Sequence, residues 1–437
     1  MNEHRGDLEV PQLRRFRVDG LFHTAYHKIE FSTESPVTLI AGPNGVGKTH
    51  ILRLIKAMLA GDLATISEIN FDSTEVEFGD GTHLIVERVI QGDNGLMLRV
   101  EAKGPKGGQI GQAELPDPSS MDDLPLPFRR LPDGRFLDVR TGRIHNADYM
   151  RRRYGVPSRY VPPFVMEAVP WLARLLEGRQ TIFIDTKRLD TPPQAGASES
   201  ANANVPASRI DEYIEQVRIQ VNEARRASLL ESQSADQSFA SRVLQGARTT
   251  VRKDELKRRY DEIAERNAEL YRNGLSSNSV AVQFPASGVN PTERRVLAVF
   301  LEDWEKKIAP LLPVNEKLKT LRRIINEKFI GKTLELDKSG GLSFKTDDGE
   351  DIPVRFLSSG EQHILALFTM LLFSASRDSV VLIDEPEISL HAAWKHAFLN
   401  DITDVARIAD LQVIMATHSS GIINGQWDLV QELGLQR

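Results

Sequence analysis

The chain contains no cysteine, which excludes disulfides, thiolate metal sites and a cysteine nucleophile, and suits a reducing compartment. Long apolar runs are also missing. The longest, residues 364–373, is too short to cross a bilayer and reads as a core helix, so no membrane partner is expected. Residues 1–10 carry charge throughout and lack the apolar centre of a signal peptide, so a cytoplasmic protein is expected. Basic charge is not in excess. With 55 Lys and Arg against 61 Asp and Glu, the net charge of -6 argues against a wholly basic nucleic-acid coat but leaves a local basic surface open. What remains is 437 residues, 41% hydrophobic and 27% charged, enough for two or three domains with substantial cores.

The chain is organised around residues 37–56. Val37, Leu39 and Ile40 make a buried-strand pattern; Gly42 to Thr49 then match G-x-x-x-x-G-K-[ST], and the apolar spacing that follows is helical. This is the strand-to-helix setting of a phosphate-binding loop. Its glycines let successive N–H groups turn inward on an anion at the positive end of a helix. The whole stretch of Gly42, Pro43, Asn44, Gly45, Val46, Gly47, Lys48, Thr49 and His50 is assigned to ATP. Lys48 is expected on the β- and γ-phosphates and the Thr49 hydroxyl on Mg²⁺.

Upstream, Arg14, Phe16 and Val18 with Ile29 and Phe31 suggest a two-strand ribbon in which Phe22 or Tyr26 stands beside adenine or simply packs in the core. Downstream, turn chemistry at Gly79-Asp80-Gly81 and Asp93-Asn94-Gly95 predicts two hairpins. Glycine, proline and acidic residues make 104–127 a loop. Residues 129–159 are arginine-rich, with Arg151, Arg152 and Arg153 in a row and Phe136, Tyr149 and Tyr154 interspersed. Such a stretch binds nucleic acid, contacts a protein or is merely solvated. A short strand at residues 181–185 precedes a small, polar, proline-punctuated connection at 191–208.

Beyond it the period turns helical. Stripes at Ile210, Ile214, Val217, Val221 and Ala224, at Leu256, Tyr260, Ile263 and Leu270, and at Leu318, Leu321, Ile325 and Phe329 predict helices of about twenty residues, each roughly 30 Å long. Another hairpin is expected around Gly340 and Gly341. Then Leu357, Ser358, Ser359, Gly360, Glu361 and Gln362 open an apolar helix, a second N-terminus suited to an anion. The run from Val380 to Ile383 is a buried strand ending in Asp384 and Glu385. Asp384 is expected to hold Mg²⁺, and Glu385 to polarise the attacking water. Ser389 and His391 follow, and a last core strand delivers His418 where a γ-phosphate sensor is wanted.

The ordered set GPNGVGKT, LSSGEQ, VVLIDEP, SLH and ATHS resembles the ATP-binding-cassette ATPases, and within them the SMC-like and OLD-like AAA group of DNA repair and prokaryotic defence. The resemblance covers residues 13–189 and 334–427. It implies an α/β ABC-type ATPase head, a P-loop mixed sheet with an antiparallel β subdomain, carrying an inserted short helical lobe. Residues 1–190 and 331–437 would be the two halves of the head, 191–208 a linker and 209–330 the lobe.

The resemblance further implies ATP and Mg²⁺ as cofactors and a homodimer or higher homo-oligomer. Ser358, Ser359, Gly360 and Glu361 of one copy would then face the triphosphate held by the other, with Ser389 and His391 at the seam. Glu385 and His418 would be the catalytic pair. A Q-loop glutamine is not evident; Gln91, Gln180 and Arg188 are the residues near its place. Because the chain ends soon after His418, a fused nuclease is not expected, and the build resembles the stand-alone ATPases of two-gene anti-phage systems such as Septu and PARIS, where a neighbouring nuclease acts. Two other functions compete. A transporter's nucleotide-binding subunit would place the P-loop and signature much closer than the roughly three hundred residues between Lys48 and Ser358. A scaffold would bind ATP and turn it over slowly.

Overall fold

The computed structural model describes residues 11–23, 25–90, 96–116, 128–130, 136–138, 143–145, 169–185, 209–245, 252–276, 283–285, 290–388 and 390–434. The N-terminal residues 1–10, Gln91, the Asp93-Asn94-Gly95 turn, Tyr149, Arg151, Arg152, Arg153, Tyr154, Arg188, the 191–208 connection and Ser389 lie outside the described residues. Two compact units are present, residues 1–189 with 376–437 and residues 190–375. Residues 331–375, assigned above to the second half of the head, therefore group with the helices.

The first unit opens with β1 (Leu13–Leu21) and β2 (Ala25–Glu30), followed by the central strand β3 (Val37–Ala41) and helix α1 (Lys48–Ala60). After the short α2 (Leu63–Glu68) come β4 (Ser73–Phe78), β5 (His83–Ile90), β6 (Leu96–Lys103) and β7 (Gln109–Pro116). They complete an antiparallel sheet of order β2-β1-β4-β5-β6-β7. The expected loop at 104–127 thus holds a strand. Its residues pair with β6 from Met97↔Pro116 to Lys103↔Gln109, so backbone pairing outweighs a composition that disfavours strands.

Three short strands, β8 (Phe128–Arg130), β9 (Phe136–Asp138) and β10 (Ile144–His145), form a small antiparallel sheet in the arginine-rich stretch. Helix α3 (Pro170–Leu176) leads to β11 (Thr181–Asp185).

The second unit contains α4 (Arg209–Gln245), α5 (Lys253–Arg272), α6 (Pro291–Ile308) and α7 (Leu312–Lys328). Helix α4 has 37 residues, about 55 Å at 1.5 Å per residue, so it is longer than its apolar stripe. The buried apolar residues Val217, Val221 and Ala224 lie in its first half; the second half packs through polar contacts, with Ser228 buried and Arg242 paired with Asp303 of α6, and so carries no apolar stripe. Helix α6 escaped the sequence reading although Asn290 and Glu293 form a reciprocal cap with Pro291 at the first turn. Strands β12 (Lys332–Leu336), β13 (Leu342–Thr346) and β14 (Asp351–Ile352) form the expected hairpin and its extension. Phe344 on β13 stacks on Phe329 at 5.8 Å. Helix α8 (Ser359–Thr369) ends the unit, widening into a π turn over Met370–Ser374.

The chain then re-enters the first unit through β15 (Val380–Asp384), α9 (Lys395–Ala409), β16 (Gln412–Thr417), the one-turn α10 (Ser420–Ile423) and β17 (Val430–Glu432). These strands join β11 and β3 in an all-parallel sheet of order β11-β15-β16-β3-β17. The strands β3 and β16 are buried throughout, as a sheet covered on both faces requires.

Helix α1 buries Ile51, Leu52, Leu54, Ile55 and Met58 in one cluster with Phe16, Val76 and Phe78 of the antiparallel sheet and Leu382, Ile414 and Ala416 of the parallel sheet. Each such side chain contributes roughly 1.5–3 kcal/mol. The Gln412 amide joins the sheets like a piece of backbone, donating to the Leu13 carbonyl at 2.7 Å and accepting from its N–H at 2.8 Å. Among the described residues no helix is long and apolar enough to cross a membrane.

Candidate nucleotide-binding site

Register places the site. Asp384 pairs with Ala416 and Thr417 with Ala41, so β15, β16 and β3 end together and Glu385, His418 and Gly42 leave the sheet along one edge. Ligands of parallel sheets bind outside such carboxyl ends.

The loop between β3 and α1 is exposed at Pro43, Asn44 and Gly45 and buried from Val46 to Lys48. Gly47 precedes α1 at φ 104°, and a Cβ there would lie 2.7 Å from Leu21 Cδ2, so neither the conformation nor the space admits another residue. A Cβ on Gly42 would stand 2.8 Å from the carbonyl oxygen of Leu433, the residue that follows β17, so the loop has no room for a side chain there. Lys48 is 5% exposed. Among the described residues its ammonium is hydrogen-bonded only to the Gly42 and Pro43 carbonyls, at 2.8 and 3.1 Å. A buried cation held across its own loop by neutral oxygens is suited to an anion such as phosphate.

Thr49 meets Asp384 directly. Its hydroxyl lies 2.9 and 3.1 Å from the two carboxylate oxygens, which joins residues 335 apart in sequence. A hydroxyl and a carboxylate oxygen side by side, with no sulfur or imidazole, form a hard oxygen donor set of the kind Mg²⁺ takes.

His50 is half-buried. Burial, and then the Arg53 charge, hold its pKa below the ordinary histidine value. Its ring meets Phe22 edge-to-face at 4.8 Å, and Phe22 is 41% exposed at φ 54° in the turn after β1. Tyr26 instead lies beneath Arg17, whose guanidinium carbon is 5.2 Å from the ring centre. Of the two aromatics considered for adenine, Phe22 is therefore the one beside the loop.

Two groups escaped the sequence reading. His27, 3% exposed, sits behind the loop with Nε2 3.1 Å from the Val46 carbonyl oxygen. Burial lowers its pKa against the opposing effect of that bond, so it stays a neutral donor. The only sequence signal is a lone histidine in a strand. The second is Glu387, 6% exposed, whose Oε1 accepts from the Thr417 hydroxyl at 2.9 Å and the His418 N–H at 3.0 Å, and lies 3.0 Å from His418 Nδ1. Glu385, half-buried, adopts φ 47°, and its N–H donates to the Ala416 carbonyl at 2.9 Å. A left-handed non-glycine residue is a strained conformation of the kind found at functional sites.

Ser358, Ser359, Gly360 and Glu361 open α8 in the second unit. Ser358 and Glu361 form a capping box, and Lys332 binds the Glu361 carboxylate at 2.7 and 2.8 Å. Burial alone would raise the Glu361 pKa; Lys332 and the Ser358 hydrogen bonds outweigh it and leave the net shift downward. His391 caps the turn over Ala392–Trp394, accepting from the Ala393 N–H at 3.3 Å. Gln180 is not near the functional edge. Its backbone pairs with Val380 at the far end of the sheet, and its side-chain oxygen accepts from the Ser376 N–H and the Ser379 hydroxyl, so it is no Q-loop residue.

Known proteins add the family. Residues 174–424 match the family model described as "AAA domain, putative AbiEii toxin, Type IV TA system", and residues 20–119 match a second described as "AAA domain". A curated relative, the DNA replication and repair protein RecF of Arthrobacter sp. (strain FB24), is 28% identical over 102 residues, 23% of this chain and 24% of that protein. The match thus spans about a quarter of the relative's length. Among solved structures, the Smc head domain of Pyrococcus furiosus bound to the C-terminal domain of ScpA aligns with 94% of this chain and 91% of its own at 15% identity and a TM-score of 0.35. The SMC head domain of Thermotoga maritima aligns with 96% of this chain and 94% of its own at 12% identity and a TM-score of 0.31. With the first family model covering more than half of its length, the chain belongs to the AAA-domain family of that description.

Proposed function

We propose that this protein binds ATP at the edge formed by β3, β15 and β16 and hydrolyses it to ADP and phosphate as a conformational switch. The observation that carries the reading is the contact between Thr49 and Asp384, beside a buried Lys48 hydrogen-bonded only to loop carbonyls among the described residues. Family membership supports nucleotide binding and hydrolysis in the same terms.

In this reading the N–H groups at the start of α1 and the Lys48 ammonium take the phosphate oxygens, and Phe22 with His50 flank the base. Thr49 and Asp384 would hold Mg²⁺, which when bound neutralises phosphate charge. Glu385 accepts a proton from the attacking water as its oxygen bonds to the γ-phosphorus; the bond to the bridging oxygen breaks and ADP leaves. His418 senses the γ-phosphate. The test is steady-state ATP turnover. Glu385→Gln should lower it by about 100-fold or more while ATP still binds. An unchanged rate would refute the assignment of the base.

The switch works between copies. Ser358 and Ser359 are exposed at the N-terminus of α8, and Phe356 beside them is 66% exposed. This supports completion of the site by the signature segment of a second copy, so that ATP joins two molecules and hydrolysis releases them. The family description and the repair role in the relative's name support use in prokaryotic defence or DNA maintenance. A separate nuclease as effector rests on the resemblance to the two-gene systems alone. Arg151, Arg152 and Arg153 are the proposed nucleic-acid contact. Replacing all three with alanine should weaken DNA binding and lower its salt slope, and an unchanged slope would assign the stretch another role.

A further inference from the structure

We propose that Glu387, two residues past the proposed base, is a positioning residue that fixes the ring orientation and tautomer of His418; the catalytic consequence rests on the ATPase reading above. Three donors converge on Glu387 Oε1. It accepts from the Thr417 hydroxyl and the His418 backbone N–H, and His418 Nδ1 lies 3.0 Å away. An oxygen that already accepts two hydrogens offers a ring nitrogen only an acceptor, so Nδ1 carries the hydrogen and donates it. The ring is 45% exposed, and Nε2 is the nitrogen left for a ligand.

The turn that makes this contact is the one that carries Glu385. With Glu385 at φ 47° and Pro386 next, the chain enters a turn over Pro386–Ile388, closed by the Ile388 N–H donating to the Glu385 carbonyl at 3.2 Å. That turn brings the Glu387 side chain to the end of β16. The base and the support of the histidine therefore share one strained turn, and a displacement of either moves the other.

A purely structural role explains the carboxylate poorly. Glu387 is 6% exposed, and its Oε2 is buried with no hydrogen-bond partner among the described residues, so the charge is a cost to folding. An amide would accept the same hydrogens on one oxygen without burying a charge. What the carboxylate adds is an anionic acceptor behind the imidazole, which strengthens the Nδ1–H bond and holds the ring more firmly than a neutral oxygen would.

Two variants separate these contributions. Glu387→Ala removes the acceptor; Glu387→Gln keeps an oxygen in place and removes the charge. ATP affinity should stay within about twofold in both, because Lys48 and Thr49 are untouched. Turnover at saturating ATP should fall on the order of 10- to 100-fold in the alanine variant, less in the glutamine variant. A second readout needs no turnover. In protein labelled with ¹⁵N-histidine, the His418 signals, assigned by their loss in His418→Gln, should show hydrogen on Nδ1 in the wild type and lose that signature in Glu387→Ala. Unchanged histidine signals in Glu387→Ala would overturn the inference, as would turnover equal to the wild type. If the wild type hydrolyses no ATP, the ATPase reading fails, and the histidine spectrum alone then supports or overturns the positioning role.

Discussion

Lys48 concentrates the chemistry at the scale of single residues. Its only hydrogen-bond acceptors among the described residues are two loop carbonyls, so phosphate oxygens would be its first charged partners there. Lys48→Ala should weaken ATP binding at least about tenfold, the loss of one charge-assisted contact, as measured by equilibrium titration. Normal affinity would contradict the phosphate cradle. His27 makes a pH prediction. Its folded pKa lies below the ordinary value of 6.5, so the unfolded chain binds the extra proton first. The stability from the neutral His27 contact is complete above pH 6.5 and declines as pH falls below that value toward the folded pKa. Urea unfolding between pH 5 and 8 should show that decline, and in His27→Gln, still able to donate to Val46, it should be shallower, with the part due to His50 remaining. An identical pH slope in the two proteins would show that His27 is not the group responsible.

At the scale of elements, helix α8 depends on its first turn. Glu361 caps Ser358 and is held by Lys332 from β12. Lys332→Met would leave the buried carboxylate without its cation and should cost about 1–3 kcal/mol, measured as a shift in the urea midpoint. Because the folded Glu361 pKa is depressed, its contribution is present above the ordinary carboxylate value and lost as pH falls through the folded pKa. The stability gap between wild type and Glu361→Gln should therefore close in acid. A gap that persists there would assign the cap another origin. Much of this layer was legible in the sequence. The P-loop strand and helix, the hairpins at Gly79-Asp80-Gly81 and Gly340-Gly341, and the strand ending at Asp384 all announce themselves through local chemistry. Strand β7 and the far half of α4 did not, because β7 is held by partner pairing and the helix packs there through small and polar side chains such as Ala235 and Arg242, which leave no apolar period to read. Glu387 and His27 were illegible for a related reason: their partners, His418 and Val46, lie 31 and 19 residues away.

For the whole molecule, the central claim is that segments 335 residues apart, on either side of a separate 190–375 unit, build one nucleotide site. If two copies then complete it, Glu385→Gln should accumulate as dimers in ATP and Mg²⁺ and revert to monomers when nucleotide is removed, as read by sedimentation velocity. Monomers throughout would argue for a site that works within one copy. The claim itself turns on Thr49 and Asp384. Both belong to the same unit and meet within hydrogen-bond distance, whereas the sequence could only place them in motifs. Equilibrium ATP binding with and without Mg²⁺ tests them most directly. The wild type should bind ATP more tightly when Mg²⁺ is added, and Asp384→Asn should lose most of that gain. Equal Mg²⁺ dependence in the two proteins would contradict the account.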